Sequence, residues 1–343
     1  MRGNLDVLVV GGGSFGSTIA SLLAANHKKV KVWVRSDEQA AEINDKHRNS
    51  KYLGDSSLNP YLVATTNLEQ SVPEAELIMM AIPAQAFRKV ARRVGDVISG
   101  DQQIVHLSKG IEIASGSRMS EILRQETCTR KIGVLAGPNL AKEIIAGHPS
   151  GALIASAYQQ VCESVQDLFS GSSLRVYRGD DVIGAEIAGA FKNIIALAAG
   201  IVDGLGFKDN TKSMIVTRGF SEMARFGALM GADVLTFGGL AGIGDLMATC
   251  QSKLSRNRTV GEYIGKGESW QEVVVSLGSV AEGVATVKAV FHEAQEQGLD
   301  LPIVRGLYQL LYEGLSLTQL QDLLMNVPPG TELAKFDLDM GER

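Results

Sequence analysis

Short apolar runs alternate with helix-like stretches along the first half of the chain, from residue 5 to about residue 178. Apolar runs of this length, bounded by turn residues, predict strands of a parallel sheet that is covered on both faces. The predicted strands are residues 6–10, 30–34, 77–82, 104–107, 132–136, 152–155 and 174–177. The predicted helices between them include residues 15–26, 37–47, 84–94 and 158–169. This alternation predicts a doubly wound α/β domain.

The pattern changes after Asp181. Long amphipathic or alanine-rich segments, separated by glycines, replace the β-rich runs, and such segments predict helices. At 343 residues the chain is also too long for one ordinary hydrophobic core, which favours two domains. We therefore expect an α/β domain over residues 1–180 and an all-α domain over residues 181–343. The tail from Val327 onward, which contains prolines and several acidic residues, is expected to be loosely ordered.

The overall composition is that of a soluble globular protein with a sizeable core. Hydrophobic residues make up 45% of the chain and charged residues 21%, well outside the disordered class. The formal net charge of -5 provides no basic field, so nucleic acid is not an expected partner and any anion site must be local. No uninterrupted apolar run approaches about 20 residues, so we expect neither a membrane span nor an export signal.

The cysteines indicate the compartment. Cys128, Cys162 and Cys250 show no CxxC spacing. An odd count without that spacing argues against a disulfide framework and against a thiolate metal site. We therefore expect a reducing compartment, the cytoplasm, and no bound metal.

A glycine-rich turn follows the first predicted strand. Gly11, Gly13 and Gly16 form a GxGxxG motif between an apolar strand and a helical pattern, which is the context of a dinucleotide-binding turn. In such a turn the first glycine permits a tight bend, the second lets the backbone approach a pyrophosphate, and the third lets helix and strand pack closely. The helix N-terminus would bind the pyrophosphate through its N–H groups. The flanking elements favour this Rossmann-like interpretation over a purely structural glycine turn.

The end of the second predicted strand bears on cofactor choice. An NAD-selective site usually has Asp or Glu about 20 residues beyond the glycines, at the adenosine ribose. Here the strand ends in Arg35 and Ser36, with Asp37 next. Residues 36–39 also match a capping box that would occupy Ser36 and Gln39. Arg35 can hold a 2′-phosphate or stack on adenine, which favours NADP over NAD; a solvated Arg35 is the alternative.

A lysine stands out on the first predicted helix of the second half. One stripe of this helix is apolar and should face the core. Lys192 projects from a neighbouring face of small residues, among them Ala188 and Gly189, which something else must approach closely. Beside a nicotinamide, Lys192 could stabilise the charge that hydride delivery creates on a substrate oxygen. The alternative is a surface lysine that snorkels from a packing seam.

An ordered set of strings extends over nearly the whole chain. They are GGGSFG at residues 11–16, WVR at 33–35, AIP at 81–83, SKGIE at 108–112, LAGP at 135–138, AKE at 141–143, FKNIIALAAGIVDG at 191–204, DNTK at 209–212, GLAGIGDL at 239–246, SRNR at 255–258 and VAEG at 280–283. In this set the chain resembles the NAD(P)-dependent glycerol-3-phosphate dehydrogenase family, soluble bacterial type. Together the strings are far more specific than a lone glycine motif.

The resemblance implies roles for individual residues. Lys192 would be the general acid and base, and Lys109 would contact both cofactor and substrate. Asp245 would contact the substrate, and from the residues alone it could also orient Lys192 or cap the turn that follows it. Lys109 follows a strand end, where doubly wound sheets bind ligands; a lysine that caps the strand is the alternative.

Further contacts follow from the resemblance alone or from helix termini. Ser255 begins a predicted helix, and a helix N-terminus beside an arginine can bind a phosphate; ordinary capping is the alternative. Position 139 more commonly carries Ser or Thr in this family, and Asn139 offers both a donor and an acceptor. The implied substrate contacts are Lys109, Gly137, Asn139, Lys192, Asp245, Ser255, Arg256 and Asn257. The implied cofactor contacts are Gly11, Gly13, Ser14, Phe15, Gly16, Arg35, Lys109, Ala141, Arg256, Val280 and Glu282.

The expected activity is hydride transfer between NAD(P)H and dihydroxyacetone phosphate, which gives sn-glycerol 3-phosphate, a glycerophospholipid precursor. The small-molecule substrate is the only partner that the sequence indicates, and a homodimer stays open. One rival is another hydroxyacid or hydroxyacyl dehydrogenase of similar architecture, which would normally use a histidine base. No histidine falls in the helical motif strings. A non-enzymatic dinucleotide sensor is the other rival, and the joint presence of Lys109, Lys192, Asp245 and Arg256 argues against it.

Overall fold

The computed structural model describes residues 5–26, 28–277 and 282–325. Two expectations, the cofactor contact of Val280 and the tail from Val327, lie outside these residues. The strands are β1 Leu5–Val10, β2 Val30–Trp33, β3 Val63–Thr65, β4 Ala75–Met80, β5 Gln103–His106, β6 Ile132–Ala136, β7 Ser150–Ala155 and β8 Leu174–Gly179. They form one eight-stranded sheet in the order β3-β2-β1-β4-β5-β6-β7-β8. The prediction of a doubly wound α/β domain is confirmed.

The sheet departs from the prediction in two places. Strand β3 was not predicted, because three residues at a sheet edge are too short to show an alternating pattern. Strand β7 runs antiparallel to β6, whereas every other neighbouring pair is parallel. The helix between β6 and β7 has five residues and rises only about 7.5 Å. It is therefore too short to carry the chain back along the full length of β6.

Helices cover the sheet and then form the second half of the chain. Those among the strands are α1 Ser14–Ala25, α2 Asp37–Lys46, α3 Ser50–Leu53, α4 Leu68–Ser71, α5 Ala84–Gly95, α6 Met119–Glu126, α7 Ala141–Ile145 and α8 Gln159–Leu168. Those after β8 are α9 Val182–Gly204, α10 Asp209–Leu229, α11 Val234–Phe237, α12 Asp245–Gln251, α13 Arg256–Gly265, α14 Trp270–Ser276, α15 Glu282–Glu296, α16 Pro302–Tyr312 and α17 Leu317–Met325. A π-helical turn, Leu240–Gly244, leads into α12. The helical second half is thus confirmed, and the domain boundary at residue 180 stays a prediction.

Helix α9 is the centre of the helical half. By length and composition it could cross a membrane, but 94% of its most apolar window is buried inside the protein, so its apolarity is that of a core helix. Small residues let α13 pack directly on its backbone. A Cβ on Gly200 would lie 2.0 Å from the Arg258 carbonyl oxygen, and one on Gly261 would lie 2.0 Å from that of Leu197. Helices α9 and α13 therefore approach each other more closely here than any larger side chain would allow.

A buried carboxylate connects α9 to the sheet domain. Glu186 accepts hydrogen bonds from Arg118 Nη1 at 2.5 Å and from the Ser120 backbone N and Oγ, each at 2.7 Å. His106 Nε2, at the end of β5, lies 2.9 Å from Glu186 Oε1. Burial alone would raise the pKa of Glu186, but His106 and Arg118 outweigh burial and lower it to about 2. Glu186 therefore joins the strand end before Lys109 to the helix that carries Lys192.

We expect Glu186→Ala to lower the free energy of unfolding by about 3 kcal/mol, because the buried Arg118 Nη1 and the Ser120 backbone N–H both lose their acceptor, although Arg118 keeps Glu121 through Nη2. Urea denaturation at pH 7 measures this. The depressed pKa also means that the contribution of Glu186 is present above pH 4.5 and is lost as the pH falls towards 2.

Glu163→Ala is the matched control, since it breaks a surface ion pair with Arg178 whose side chains are about half exposed. Its expected effect is about 0.5 kcal/mol. Equal losses in the two variants would contradict a stabilising role for Glu186.

Candidate active site

The loops that follow β1, β4, β5 and β6 meet at the carboxyl edge of the sheet. The strand order reverses between β1 and β4, where the chain leaves β1 for β2 on one side and later returns to β4 on the other. Such a switch point opens a crevice at the carboxyl edge, and open α/β sheets bind ligands there. Gly11, Pro83, Lys109 and Gly137 each lie in one of these loops. The topology therefore gathers four of the family-like strings at one edge.

The glycine turn after β1 has the predicted geometry. Gly11 has φ +119°, and a Cβ there would lie 2.4 Å from the Ala81 carbonyl oxygen. A Cβ on Gly16 would lie 1.9 Å from the Gly11 carbonyl oxygen, so the helix could not pack so closely with any other residue. A Cβ on Gly13 would meet no heavy atom within 4 Å. Gly13 thus borders open space at the N-terminus of α1, which fits a diphosphate bound by backbone N–H groups.

Ser14 and Phe15 open helix α1 beside this space. Ser14 Oγ donates to the Tyr52 carbonyl oxygen at 3.0 Å. Because its hydroxyl hydrogen is used in this bond, Ser14 would bind an anion through its backbone N–H. Phe15 is half-buried and packs against the core of the sheet domain.

The predicted capping box of α2 forms only in part. Ser36 Oγ accepts from the Gln39 backbone N at 3.3 Å, as predicted. The Gln39 side chain does not turn back to Ser36: its Nε2 donates to the Gly12 carbonyl oxygen at 2.6 Å. The prediction that the capping box occupies the Gln39 side chain is therefore wrong, because this side chain bonds to the glycine turn instead. Arg35 is exposed, and in the described part of the chain no side chain pairs with it.

Lys192 and Lys109 meet on one buried carboxylate. Lys192 Nζ donates to Asp245 Oδ1 at 2.6 Å, and Lys109 Nζ donates to Asp245 Oδ2 at 2.6 Å. Lys192 also donates to Thr249 Oγ1 at 2.7 Å, and Lys109 donates to the Gly137 carbonyl oxygen at 3.0 Å. The Lys109 stem packs on Gly189, 3.4 Å from where a Cβ would stand. The small-residue face of α9 therefore accommodates Lys109.

Burial and charge set the protonation of this group. Lys192 is 6% exposed and Asp245 is 2% exposed. Burial and the neighbouring Lys109 lower the pKa of Lys192 to about 8, although Asp245 acts in the opposite direction. Burial alone would raise the pKa of Asp245, but the two ammonium groups outweigh burial and lower it. A lysine with a pKa near 8 can give and take a proton close to neutral pH.

Asn139 lies beside the lysines with an unsatisfied amide. Its Oδ1 and Nδ2 atoms are both buried, and neither has a hydrogen-bond partner among the described residues. A Cβ on Gly137, whose carbonyl oxygen accepts from Lys109, would lie 3.4 Å from Asn139 Nδ2. Buried polar groups are nearly always satisfied in folded proteins. The amide therefore has room for a water molecule or a polar ligand at this position.

The N-terminus of α13 carries the string SRN. Ser255 caps the helix by accepting from the Arg258 backbone N at 3.3 Å, which confirms the predicted helix entrance. Arg256 is exposed, whereas Asn257 is buried and its Oδ1 accepts from the Gly283 backbone N at 2.9 Å. Asn257 thus fixes α13 against the start of α15. Its side-chain oxygen is occupied by this contact, which the sequence did not indicate.

Glu282 and Ala141 border the same crevice at two helix N-termini. Glu282 Oε1 accepts from the Ala84 backbone N at 3.2 Å, at the start of α5, and its Oε2 lies close to Gly110. Burial raises the pKa of Glu282 to about 7, partly opposed by the Ala84 hydrogen bond and by Arg256. Ala141 is the first residue of α7, and its carbonyl oxygen accepts from Thr18 of α1 at 3.4 Å.

Four polar residues contribute to this region without having been predicted. Thr249 accepts from Lys192, and Asn193 Nδ2 donates to the Lys109 carbonyl oxygen at 3.5 Å. Gln39 and Asn49 both donate to Gly12. Thr249 lies one helical turn after Asp245, and Asn193 follows Lys192, so their positions were open to prediction once those residues were chosen. Nothing local indicates Asn49. Among the described residues, no three His, Cys, Asp or Glu side chains converge as a metal site requires.

Two family models match the chain. One, described as the NAD-dependent glycerol-3-phosphate dehydrogenase N-terminus, matches residues 6–162. The other, described as the C-terminus of the same family, matches residues 181–322. The two models together extend over most of the chain, including every described residue discussed above as a site residue.

Curated relatives and a solved structure agree with the family models. The chain is 45% identical to glycerol-3-phosphate dehydrogenase, NAD(P)+, of Macrococcus caseolyticus over 94% of this chain and 98% of the relative. It is 43% identical to the enzyme of the same name from Teredinibacter turnerae, over 99% and 98%. Its fold is similar to the crystal structure of glycerol-3-phosphate dehydrogenase from Coxiella burnetii, with a TM-score of 0.89, 31% identity and coverage of 93% and 98%. The chain therefore belongs to the NAD-dependent glycerol-3-phosphate dehydrogenase family.

Proposed function

We propose that the protein interconverts dihydroxyacetone phosphate and sn-glycerol 3-phosphate with NADH or NADPH, in the cytoplasm, where it supplies a glycerophospholipid precursor. One observation carries the proposal above the others. Two lysines, each on a different half of the chain, share the buried carboxylate of Asp245 at the carboxyl edge of a dinucleotide-binding sheet. The substrate, a small molecule that binds at this edge, is the only partner that we propose.

Lys192 is the proposed general acid and base. The bound nicotinamide cofactor supplies or accepts the hydride at C2 of the substrate. An ammonium group has three donors, and Lys192 directs two of them at Asp245 and Thr249. The third donor can reach a substrate oxygen, protonating it during reduction. In the reverse direction the neutral amine takes the hydroxyl proton, which its lowered pKa permits.

Lys109 and Asp245 tune and position this proton transfer. Asp245 holds both amines in fixed directions, and its carboxylate compensates part of the buried positive charge. Lys109 lowers the pKa of Lys192 by its charge and has a donor left over for the substrate after its bonds to Gly137 and Asp245. Preorganised charges in a dry site stabilise an alkoxide-like transition state more than water does.

The remaining substrate contacts are proposed on both sides of the lysines. Ser255, Arg256 and Asn257 at the N-terminus of α13 would bind the phosphate, because backbone N–H groups and an arginine fork are suited to its oxygens. The exposed Arg256 can reorient towards a ligand, while Ser255 and Asn257 act through the helix start that they fix. Gly137 and Asn139 would contact the carbon skeleton, and the unsatisfied amide of Asn139 supports that role.

The cofactor is proposed to lie across the switch point. Gly11, Gly13 and Gly16, with the backbone of Ser14 and Phe15, would hold the diphosphate. Arg35 would bind the 2′-phosphate of NADP, which its exposure and lack of an internal partner support. The other proposed contacts are Lys109, Ala141, Arg256, Val280 and Glu282.

We expect Lys192→Met to lower kcat for dihydroxyacetone phosphate reduction by about 100-fold or more, the usual contribution of a general acid. Turnover is measured from the loss of absorbance of the reduced nicotinamide cofactor. Lys266→Met, which removes an exposed lysine paired with Glu262, is the control and should keep wild-type kcat. Wild-type protein that reduces a keto acid in preference to dihydroxyacetone phosphate would contradict the proposed substrate.

The two directions of the reaction should depend on pH in opposite ways. Reduction needs protonated Lys192, so its kcat/KM should fall as the pH rises through about 8; oxidation needs the neutral amine, so its kcat/KM should rise there. In Lys109→Met the midpoints of both pH profiles should move to higher pH, because the loss of a neighbouring positive charge raises the pKa of Lys192. Unchanged midpoints would show that Lys109 does not lower the pKa of Lys192.

Cofactor preference should depend on Arg35. In Arg35→Ala the ratio of kcat/KM for NADPH to that for NADH should shrink by about tenfold, since one charged hydrogen-bonding partner of the 2′-phosphate is lost. Steady-state kinetics with both cofactors measures the ratio. Arg178→Ala, which removes another exposed arginine on the far edge strand β8, serves as the control. An unchanged ratio in Arg35→Ala would rule out this role.

A further inference from the structure

Two amide side chains converge on one carbonyl group of the glycine turn. Gln39 Nε2 donates to the Gly12 carbonyl oxygen at 2.6 Å, and Asn49 Nδ2 donates to the same oxygen at 2.9 Å. Gln39 Nε2 also lies 3.3 Å from Asn49 Oδ1, which links the two amides. Gln39 belongs to α2, and Asn49 immediately precedes α3. We call these two side chains the amide clamp.

The amide clamp is built into the protein rather than lying on its surface. Asn49 is 0% exposed. Its Nδ2 also donates to Ser17 Oγ at 2.8 Å, and the Ser17 backbone N donates to the Gly13 carbonyl oxygen at 2.9 Å. The clamp therefore contacts both ends of the turn, the Gly12 peptide and the first turn of α1. A carbonyl oxygen with two donors is fully satisfied and is held in one orientation.

The orientation of the Gly12 carbonyl decides what the next peptide group presents to a ligand. In a trans peptide the C=O and the following N–H point in opposite directions. Because the clamp draws the Gly12 oxygen towards α2 and α3, it turns the Gly13 N–H away from them. On Gly13 a Cβ would meet no heavy atom within 4 Å, so this residue borders the open side of the turn. The clamp thus points the Gly13 N–H towards a bound anion. It also keeps the Gly12 carbonyl oxygen away from that anion.

The clamp also connects two parts of the cofactor site. Gln39 lies in the first turn of α2, and Ser36 caps that turn directly after Arg35. The turn that follows β1 and the segment that follows β2 are therefore fixed to one another through a side chain. Gly12 itself has no room for a side chain, because a Cβ there would lie 2.3 Å from Val34 Cγ1 and 2.9 Å from Gln39 Nε2.

We propose that Gln39 and Asn49 are positioning residues for the cofactor diphosphate, acting by fixing the Gly12–Gly13 peptide group. The inference rests on the proposed function, since it assumes a nicotinamide dinucleotide at the glycine turn. In this proposal Gln39 and Asn49 raise the affinity for the diphosphate, which NAD and NADP share. Arg35 alone determines the preference between the two cofactors.

The test uses the variants Gln39→Met and Asn49→Leu, which keep side-chain size and remove the donors. Binding of ADP-ribose, which carries the diphosphate but no nicotinamide, is measured by isothermal titration calorimetry. We expect the Kd for ADP-ribose to rise by about tenfold in each variant, because each loses its hydrogen bond to the Gly12 carbonyl oxygen. In kinetics the KM for NADH and for NADPH should rise by a similar factor, with kcat and the KM for dihydroxyacetone phosphate nearly unchanged.

Asn44→Leu is the matched control. Asn44 also belongs to α2, and its amide is bonded to the backbone of Ala64 in β3 instead of the glycine turn. It should keep wild-type affinity for ADP-ribose even if its thermal midpoint falls. Thermal unfolding of all three variants without ligand identifies any loss of folded protein.

Three results would overturn the proposal. One is wild-type affinity for ADP-ribose in folded Gln39→Met and Asn49→Leu. Another is a change in the ratio of NADPH to NADH affinity, which would place the amides at the 2′-phosphate. The third is an equal loss of affinity in Asn44→Leu, which would reflect general loosening of α2. Failure of the proposed function is separate, since it would appear as wild-type protein that does not reduce dihydroxyacetone phosphate.

Discussion

The arrangement of the site depends on one buried carboxylate that two lysines share. Asp245 receives Lys192 from the central helix of the helical half and Lys109 from the edge of the sheet, at 2.6 Å each. Neither amine could be buried at this depth without a counter-charge. One carboxylate for two ammonium groups leaves the cluster positive, and that surplus suits an anionic substrate and a developing negative charge on its oxygen.

Close packing of backbone on backbone makes this convergence possible. Glycines at the crossing of α9 and α13 let the two helices approach until a Cβ would collide with a carbonyl oxygen. Gly189 leaves room for the Lys109 stem on the same helix. Glu186, six residues before Lys192, holds α9 against the start of α6. The two lysines proposed for catalysis are thus positioned by a single helix that is fixed at several points along its length.

The glycine turn shows the same logic on the cofactor side. Its glycines allow a backbone path that no larger residue could follow. Because glycine is conformationally free, the glycines alone do not fix the orientation of each peptide group. Hydrogen bonds from Gln39 and Asn49 to the Gly12 oxygen make that selection. A flexible sequence and a rigid neighbourhood are therefore both needed for a defined anion site.

The sequence by itself determined the fold class and most of the chemistry. Apolar runs gave the strands of the sheet, because burial on both faces leaves a direct mark on composition, and the GxGxxG context gave the dinucleotide turn. The ordered strings, together with Lys192 on a face of small residues, indicated the family before any contact was known. Ser255 as a helix cap was equally local, since capping depends on neighbours within one turn.

Only the tertiary structure decided which side chains meet. The sharing of Asp245 joins residues from distant parts of the chain, and no local pattern encodes a contact of that kind. The same holds for Asn49, which lies in an irregular segment with no periodicity, and for Gln39, whose expected local partner was replaced by the Gly12 oxygen. The antiparallel β7 was likewise hidden, because a strand's hydrophobic pattern carries no information about its direction. Contacts over long sequence separations depend on packing, which the order of residues specifies only through the whole fold.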